Sequence, residues 1–423
     1  MALNRWNQPN SFGFCLALIC GLLAWLSRSP QWLSLSTFAW LMGLMFVFYT
    51  LSYRSFNQPR VVSAKTVFIW AFIFRLLGFL GEPIFEDDYF RYLWDGYRFA
   101  TDGTPYGRPP EAFFNDPTVP KAFQAILSQI NHPDIPAIYA PTFQYFFLIA
   151  NWIASGQLWA LKVLLMAVDL LLIAGLFRIV GVERTLLYAW NPLVIKEIAF
   201  TAHPDGLIPA LLIGSWLFSS QGKQFVAGLL LAAAVASKAS AWLLVPFMLL
   251  NIGGLGAGTF VGGYVLLYLP FWIQGATDAS GFTVFAQEFE FNSALYGWVR
   301  LCLSAYWARI LLGITFLGVS AGYFVHYWRL GNRSLPHGEW LFGGLLLVSP
   351  VINPWYLLWL LPFACRYSSL GIWATSAAIL LSYATGLNLE SSELAPYGHP
   401  AWVRPVEFGI IGLVFLYDTW RRR

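Results

Sequence analysis

Phe85-Glu86-Asp87-Asp88-Tyr89-Phe90-Arg91-Tyr92-Leu93-Trp94-Asp95-Gly96 opens a polar segment in a chain that is otherwise almost continuously apolar. Eight of the protein's 21 acidic residues fall between Glu82 and Asp116. Paired carboxylates ahead of an aromatic-rich helix, flanked by apolar runs of membrane-crossing length, point to acid–base chemistry at a bilayer surface. The rest of the chain supports that setting. It is 58% hydrophobic and only 11% charged, where a soluble domain carries about 25%. The composition therefore predicts an all-α polytopic membrane protein, a single integral membrane domain over 1–423 with about 12–14 spans.

Upstream of the acidic stretch, spans are expected near 11–27, 31–53 and 66–82. The first has no small-residue cleavage site after it and reads as an anchor, not a signal peptide. Arg54, Arg60 and Lys65 follow the second span, so the positive-inside rule puts them in the cytoplasm and the acidic segment outside. The external loop is expected over 83–140, with interfacial helices near 87–101 and 119–130. On the first, Asp88, Tyr92 and Asp95 share one face, while Phe90, Trp94 and Tyr97 form an apolar stripe.

Further spans are expected near 158–180, 185–200, 204–219, 224–238, 241–252, 255–273, 306–329, 338–351, 354–366, 370–387 and 404–420. This alternation holds if 141–157 does not cross fully. It places Arg178, Arg184, Lys223, Arg329, Arg333, Arg366 and Arg421 to Arg423 inside. Several spans are broken by Pro192, Pro209, Pro246, Pro350 or Pro354, as happens where helices line a cavity. Cys15, Cys20, Cys302 and Cys365 lie in apolar runs without metal spacing and read as packing residues.

The same alternation gathers other polar stretches on the outer face: Thr201 to Gly206, Ser237 to Ser240, Asn353 to Tyr356, and a loop carrying Glu288 and Glu290. A charge near the membrane centre costs roughly 2.5–3.5 kcal/mol, so Lys238 needs a partner or a reason. It reads either as a snorkelling lysine or as a cation for an anionic lipid phosphate; in both cases Lys238→Met should fold at least as well. His203 and Asp205 read as a helix-capping pair or as ligands for phosphate and sugar hydroxyls. Arg75 and Asp169 lie inside spans and suit packing or pairing. The sequence shows no Gly-rich phosphate loop, no zinc spacing, no nucleophile elbow, no basic nucleic-acid patch and no nucleotide-binding α/β pattern.

Taken in order, these motifs resemble the C-type, multi-spanning glycosyltransferases that use polyprenyl-phosphate sugars, closest to bacterial polyprenol-phosphate-mannose-dependent mannosyltransferases. The matching pieces are Asp87 to Gly96 with Thr104-Pro105-Tyr106, Tyr139-Ala140-Pro141, Asn191 to Val194, His203-Pro204-Asp205, Ser237-Lys238, and Pro354 to Pro362. The family often shows His-Asn-Asp where this chain has His203-Pro204-Asp205. The resemblance implies inverting transfer of a sugar, mannose first, from a polyprenyl-phosphate donor to a lipid-linked or glycan acceptor. It implies Asp87 as general base, with Asp88 the alternate or an acceptor-positioning partner. Glu86, Arg91, Tyr92, Asp95, His203, Asp205, Lys238, Trp355 and Tyr356 are then the expected substrate-binding residues. No cofactor is required and no metal is predicted, although Glu86, Asp87 and Asp88 could hold a divalent ion. Membrane lipids, not nucleic acid, are the expected partners, and the polyprenyl chain is expected to enter beside the aromatic interface helices. The expected location is the bacterial inner membrane with the site on its periplasmic face. The rival readings are a transporter or flippase and a lipid-diphosphate-sugar polymerase or ligase.

Overall fold

The computed structural model describes residues 8–29, 31–56, 63–367 and 369–421. Arg60, Arg422 and Arg423, expected on the cytoplasmic side, lie outside the described residues. The architecture is all-α; the only β pairing among the described residues is an isolated bridge between Phe291 and Val351.

In chain order the helices are α1 (Gln8–Leu26), α2 (Leu35–Phe56), α3 (Ala64–Phe79), α4 (Asp88–Asp102), α5 (Lys121–Leu127), α6 (Pro141–Ile153) and α7 (Leu158–Ala189). Next come α8 (Pro192–Ile195), α9 (Leu207–Ser220), α10 (Gln224–Val235), α11 (Val245–Leu249), α12 (Gly254–Ile273) and α13 (Ala279–Glu288). The chain finishes with α14 (Leu295–Val299), α15 (Ala305–Arg329), α16 (Gly338–Val348), α17 (Leu361–Ala364), α18 (Leu370–Ala378) and α19 (Val403–Arg421).

Among the described residues four helices are long and apolar enough to cross a membrane: Leu35–Ser55, Leu158–Ala189, Gly254–Ile273 and Ala305–Arg329. Several of the other expected spans are shorter or interrupted. Those near 158–180 and 185–200 share α7, which turns at Gly181 (φ 77°), a left-handed backbone that glycine adopts without a Cβ penalty. The spans expected at 241–252 and 354–366 are 3₁₀ segments, Ala239–Leu244 and Pro354–Trp359, running into the short helices α11 and α17. Proline near the start of each removes a backbone donor and fixes φ, which suits a first turn but not a long span. Helix α6 has 13 residues; at about 1.5 Å per residue it covers about 20 Å, short of the roughly 30 Å hydrocarbon layer.

The bundle has two chemically distinct ends. At one, Arg184 donates to the Arg366 carbonyl at 2.8 Å, Arg333 to the Leu250 carbonyl, and Ser219 to the Asn251 carbonyl at 2.8 Å. These are the turns that the alternation puts together as basic. At the other end lie the acidic segment, the Thr201–Gly206 turn, Lys238 and the Asn353–Tyr356 stretch. Between the ends, Arg75 and Asp169 pair at 2.8 Å with both side chains buried.

Candidate active site

The acidic helix is fixed on two sides. Its apolar stripe, Phe90, Trp94 and Tyr97, packs with Phe113, Phe123 and Leu127, so α5 covers it. Its other flank lies on α6, where Gly96 is so close that a Cβ would meet the Phe147 carbonyl oxygen at 2.5 Å. Arg91 and Asp95 pair at 2.9 Å, Gln144 donates to Asp95 at 2.8 Å, and Arg91 donates to the Ile135 carbonyl at 3.0 Å. Tyr106 donates to the Tyr139 carbonyl at 2.8 Å. Asp95 is 1% exposed: it holds α4 on α6 and does not face open space.

Asp87 stands at the N-cap of α4 but makes no capping bond with its side chain. Both it and Asp88 instead accept from the Asn131 amide, at 2.7 and 3.3 Å. Asn131 is 44 residues from Asp87, on the turn after α5, and nothing in its local sequence marked it. Non-glycine residues in the left-handed region flank these groups: Phe85 (φ 54°) just before Glu86, His132 (φ 48°) just after Asn131, and Ala202 (φ 58°) just before His203. Such backbone is costly and gathers where a site dictates chain direction.

Burial raises all three carboxyls. Glu86 is pushed well above the usual carboxylate range by desolvation, relieved in part by Lys196 and raised further by its acidic neighbours. Asp87 is raised by burial against the opposing Asn131 bond. Asp88 is pushed up to about 6, by burial first and then by the charge of Asp87. Two carboxyls that share one amide donor titrate as a pair, above the ordinary aspartate range.

These carboxyls border a cavity of about 1540 Å³. Arg91, Asp205, Lys238, Trp355 and Tyr356 also line it, so most of the sequence-predicted residues meet there. Lys238 does not snorkel. Its ammonium turns to Asp205 at 2.9 Å and lies 4.1 Å from the centre of the Tyr356 ring and 4.8 Å from that of Trp359. Asp205 also accepts from the Trp359 indole N–H at 2.7 Å. Lys238 and Trp359 both donate to Asp205 Oδ1, and Lys238 gives it one of its three N–H donors.

Tyr92 and His203 stand behind the cavity wall. The Tyr92 hydroxyl and His203 Nδ1 are 3.1 Å apart, and the imidazole stacks on Trp355 with centroids 4.0 Å apart. His203 Nε2 lies 3.6 Å from Glu197 and 4.0 Å from Glu86, with no hydrogen-bond partner of its own. A single π turn, Lys196–Phe200, carries Glu197 into this layer, an irregularity common at functional sites. Tyr383 donates to Glu197 at 2.7 Å, and Lys196 bonds both Tyr383 and Glu197. Lys196, Glu197 and Tyr383 escaped the sequence reading because a lysine and a glutamate in apolar runs carry no spacing signal.

The chain matches the family described as alpha-(1->6)-mannopyranosyltransferase, N-terminal domain, over residues 16–254. That is more than half of its length. No curated protein and no solved structure matches it. The chain belongs to this family of C-type mannosyltransferases.

Proposed function

We propose that this member of the mannosyltransferase family is an inverting enzyme that takes mannose from a polyprenyl-phosphate carrier. The acceptor is a hydroxyl of a lipid-linked or free glycan at the outer face of the plasma membrane. The observation that carries the reading is the Asp87–Asp88 pair, joined by Asn131 at 2.7 and 3.3 Å, on the same cavity as Lys238.

Asp87 is the base. It removes the proton from the acceptor hydroxyl as that oxygen attacks the anomeric carbon on the face opposite the phosphate. The bond from that carbon to the phosphate oxygen breaks, and the carrier leaves as a lipid phosphate. Inversion at a β-linked mannosyl phosphate gives an α-mannoside, in agreement with the α product in the family's description. Asp88, beside the base and sharing its Asn131 contact, positions the acceptor by accepting a hydrogen bond from one of its hydroxyls. The Lys238 ammonium, oriented by Asp205 and held over two aromatic faces, offsets charge growing on the departing phosphate; in a water-poor site such a fixed cation has large leverage. Trp355 and Tyr356 offer the sugar apolar faces. The scheme uses no metal.

Purified full-length protein in detergent tests this. With polyprenyl-phosphate mannose and an oligomannoside acceptor it should transfer mannose without added nucleotide. Transfer seen only from a nucleotide-linked mannose, with no lipid carrier present, would overturn the reading.

A further inference from the structure

The cavity extends past the carboxylates into an apolar groove. One wall is α2, where Ala39, Gly43 and Phe46 recur at the spacing of a single helix face. The facing wall is Ala377, Leu380 and Leu381, where α18 passes into a 3₁₀ turn. A Cβ on Gly43 would have no heavy atom within 4 Å, so the space beside this position is open. From Leu35 to Phe46 the helix descends about 16 Å at 1.5 Å per residue, roughly half of a hydrocarbon layer. Phe38 stands at the upper end. Its ring meets Phe85 at 5.3 Å and Tyr383 at 5.8 Å between centroids, next to the residues that precede and support the acidic pair.

The geometry points to this groove as the seat of the donor's polyprenyl chain, a reading that rests on the proposed function. In a lipid monophosphate sugar a single phosphate separates the anomeric carbon from the first prenyl unit. The chain's channel must therefore begin beside that phosphate, in the cavity that Lys238 and the carboxyls share with this groove. A lipid-linked acceptor carries intervening sugars between its reacting hydroxyl and its lipid, and its tail has no such constraint. The path lies on the α2 side of the acidic pair, not beside the aromatic helices α4 and α5, where the sequence placed the entry.

Gly43→Trp fills the groove without touching the acidic pair. With a long polyprenyl-phosphate mannose its kcat/KM should fall about tenfold or more, since exclusion of as few as two buried methylenes costs that much. With a donor of two prenyl units it should stay within about twofold of wild type. Leu266→Trp, on the exposed face of α12, should leave both donors unchanged. Equal behaviour of Gly43→Trp and wild type on both donors overturns the groove, while failure of wild type to use any lipid-phosphate mannose overturns the proposed function instead. Wild-type protein gives an independent arm through a polyprenyl phosphate bearing a diazirine on its second prenyl unit. Crosslinks within 35–46 and 377–384, competed by unlabelled polyprenyl phosphate, are expected. Crosslinks confined to α4 and α5, or not competed, sink the assignment even where Gly43→Trp fails to fold.

Discussion

Asp169 and the Asp87–Asp88 pair are carboxylates in the same bundle with opposite surroundings. Asp169 accepts from Arg75 at 2.8 Å on one oxygen and from Tyr188 at 2.7 Å on the other, and Arg75 also donates to the Ala189 carbonyl. The charge is matched within the helix packing. Asp87 and Asp88 share a single neutral amide and border a cavity. The bundle balances one carboxylate, which joins α3 to α7, and leaves two others short of cations at the cavity, the surroundings that the proposed base requires. Asp205 is intermediate, since it is balanced by Lys238 yet reaches the cavity wall.

Breaking the comparison on the open side should give the largest effect. Asp87→Asn keeps size and the Asn131 contact but removes basicity, so transfer should fall about 10²–10⁴-fold with donor binding and melting temperature nearly unchanged. Near-normal turnover in Asp87→Asn combined with a dead Asp88→Asn would move the base to Asp88. If both variants turn over normally, neither carboxyl is the base.

On the closed side the loss should appear in stability. Arg75→Met leaves Asp169 charged, buried and unpaired, which costs about 3–5 kcal/mol. Removing both charges, Arg75→Met with Asp169→Leu, should recover most of that in thermal unfolding, and each folded molecule should still transfer mannose. A double variant no more stable than the single one would mean that Arg75 acts through something other than the pair.

Lys238→Met sharpens the intermediate case. The sequence alone expects it to fold at least as well as wild type; the 2.9 Å contact with Asp205 reverses that expectation, because a buried carboxylate then loses its cation. Both melting temperature and transfer should drop, and Lys238→Arg should restore stability better than rate because its planar fork differs in geometry. Transfer at wild-type rates across donor concentrations in Lys238→Met would remove the cation from the mechanism.

The smallest effect concerns protons. The Asp88 carboxyl is higher in the folded protein, at about 6, than its ordinary value of 3.8. The folded state thus binds the proton more tightly, and this group's cost is absent below the ordinary value and complete above about 6. Asp88→Asn should therefore melt slightly above wild type at pH 7 to 8, with the gap closing as pH falls from about 6 towards 4. A constant gap across that range would show that Asp88 is not desolvated. Wild-type kcat/KM should also decline below about pH 6 as the pair gains protons.

Much of this was legible in the chain. The two faces of α4 follow from helical spacing, and the structure buries Trp94 against α5 and turns Tyr92 towards His203. The basic turns of Arg184, Arg333 and Arg366 meet at one end because the alternation of apolar runs requires it. Long-range pairing was not legible. Asn131 with Asp87, Lys238 with Asp205, and Arg75 with Asp169 join residues 44, 33 and 94 positions apart, and local periodicity carries no information about such partners. Nor did hydropathy separate a continuous helix from 3₁₀ segments at 239–244 and 354–359, since both are equally apolar. Glu86, Arg91, Asp205, Lys238, Trp355 and Tyr356 reach the cavity wall with the acidic pair; Tyr92, Asp95 and His203 form the layer that supports it.

The cavity wall draws on residues from Ser27 to Trp402, and this bears on how the protein is made. During synthesis the acidic pair is made early, and Asn131 can engage it once the external loop is complete. Lys238 follows a hundred residues later, and the walls contributed by Phe289, Tyr356, Leu380 and Tyr397 come last. A nascent chain halted after α12 already holds Asp87, Asp88 and Lys238 yet lacks the later walls of the cavity. The cavity is therefore complete only when the final quarter of the protein has been added.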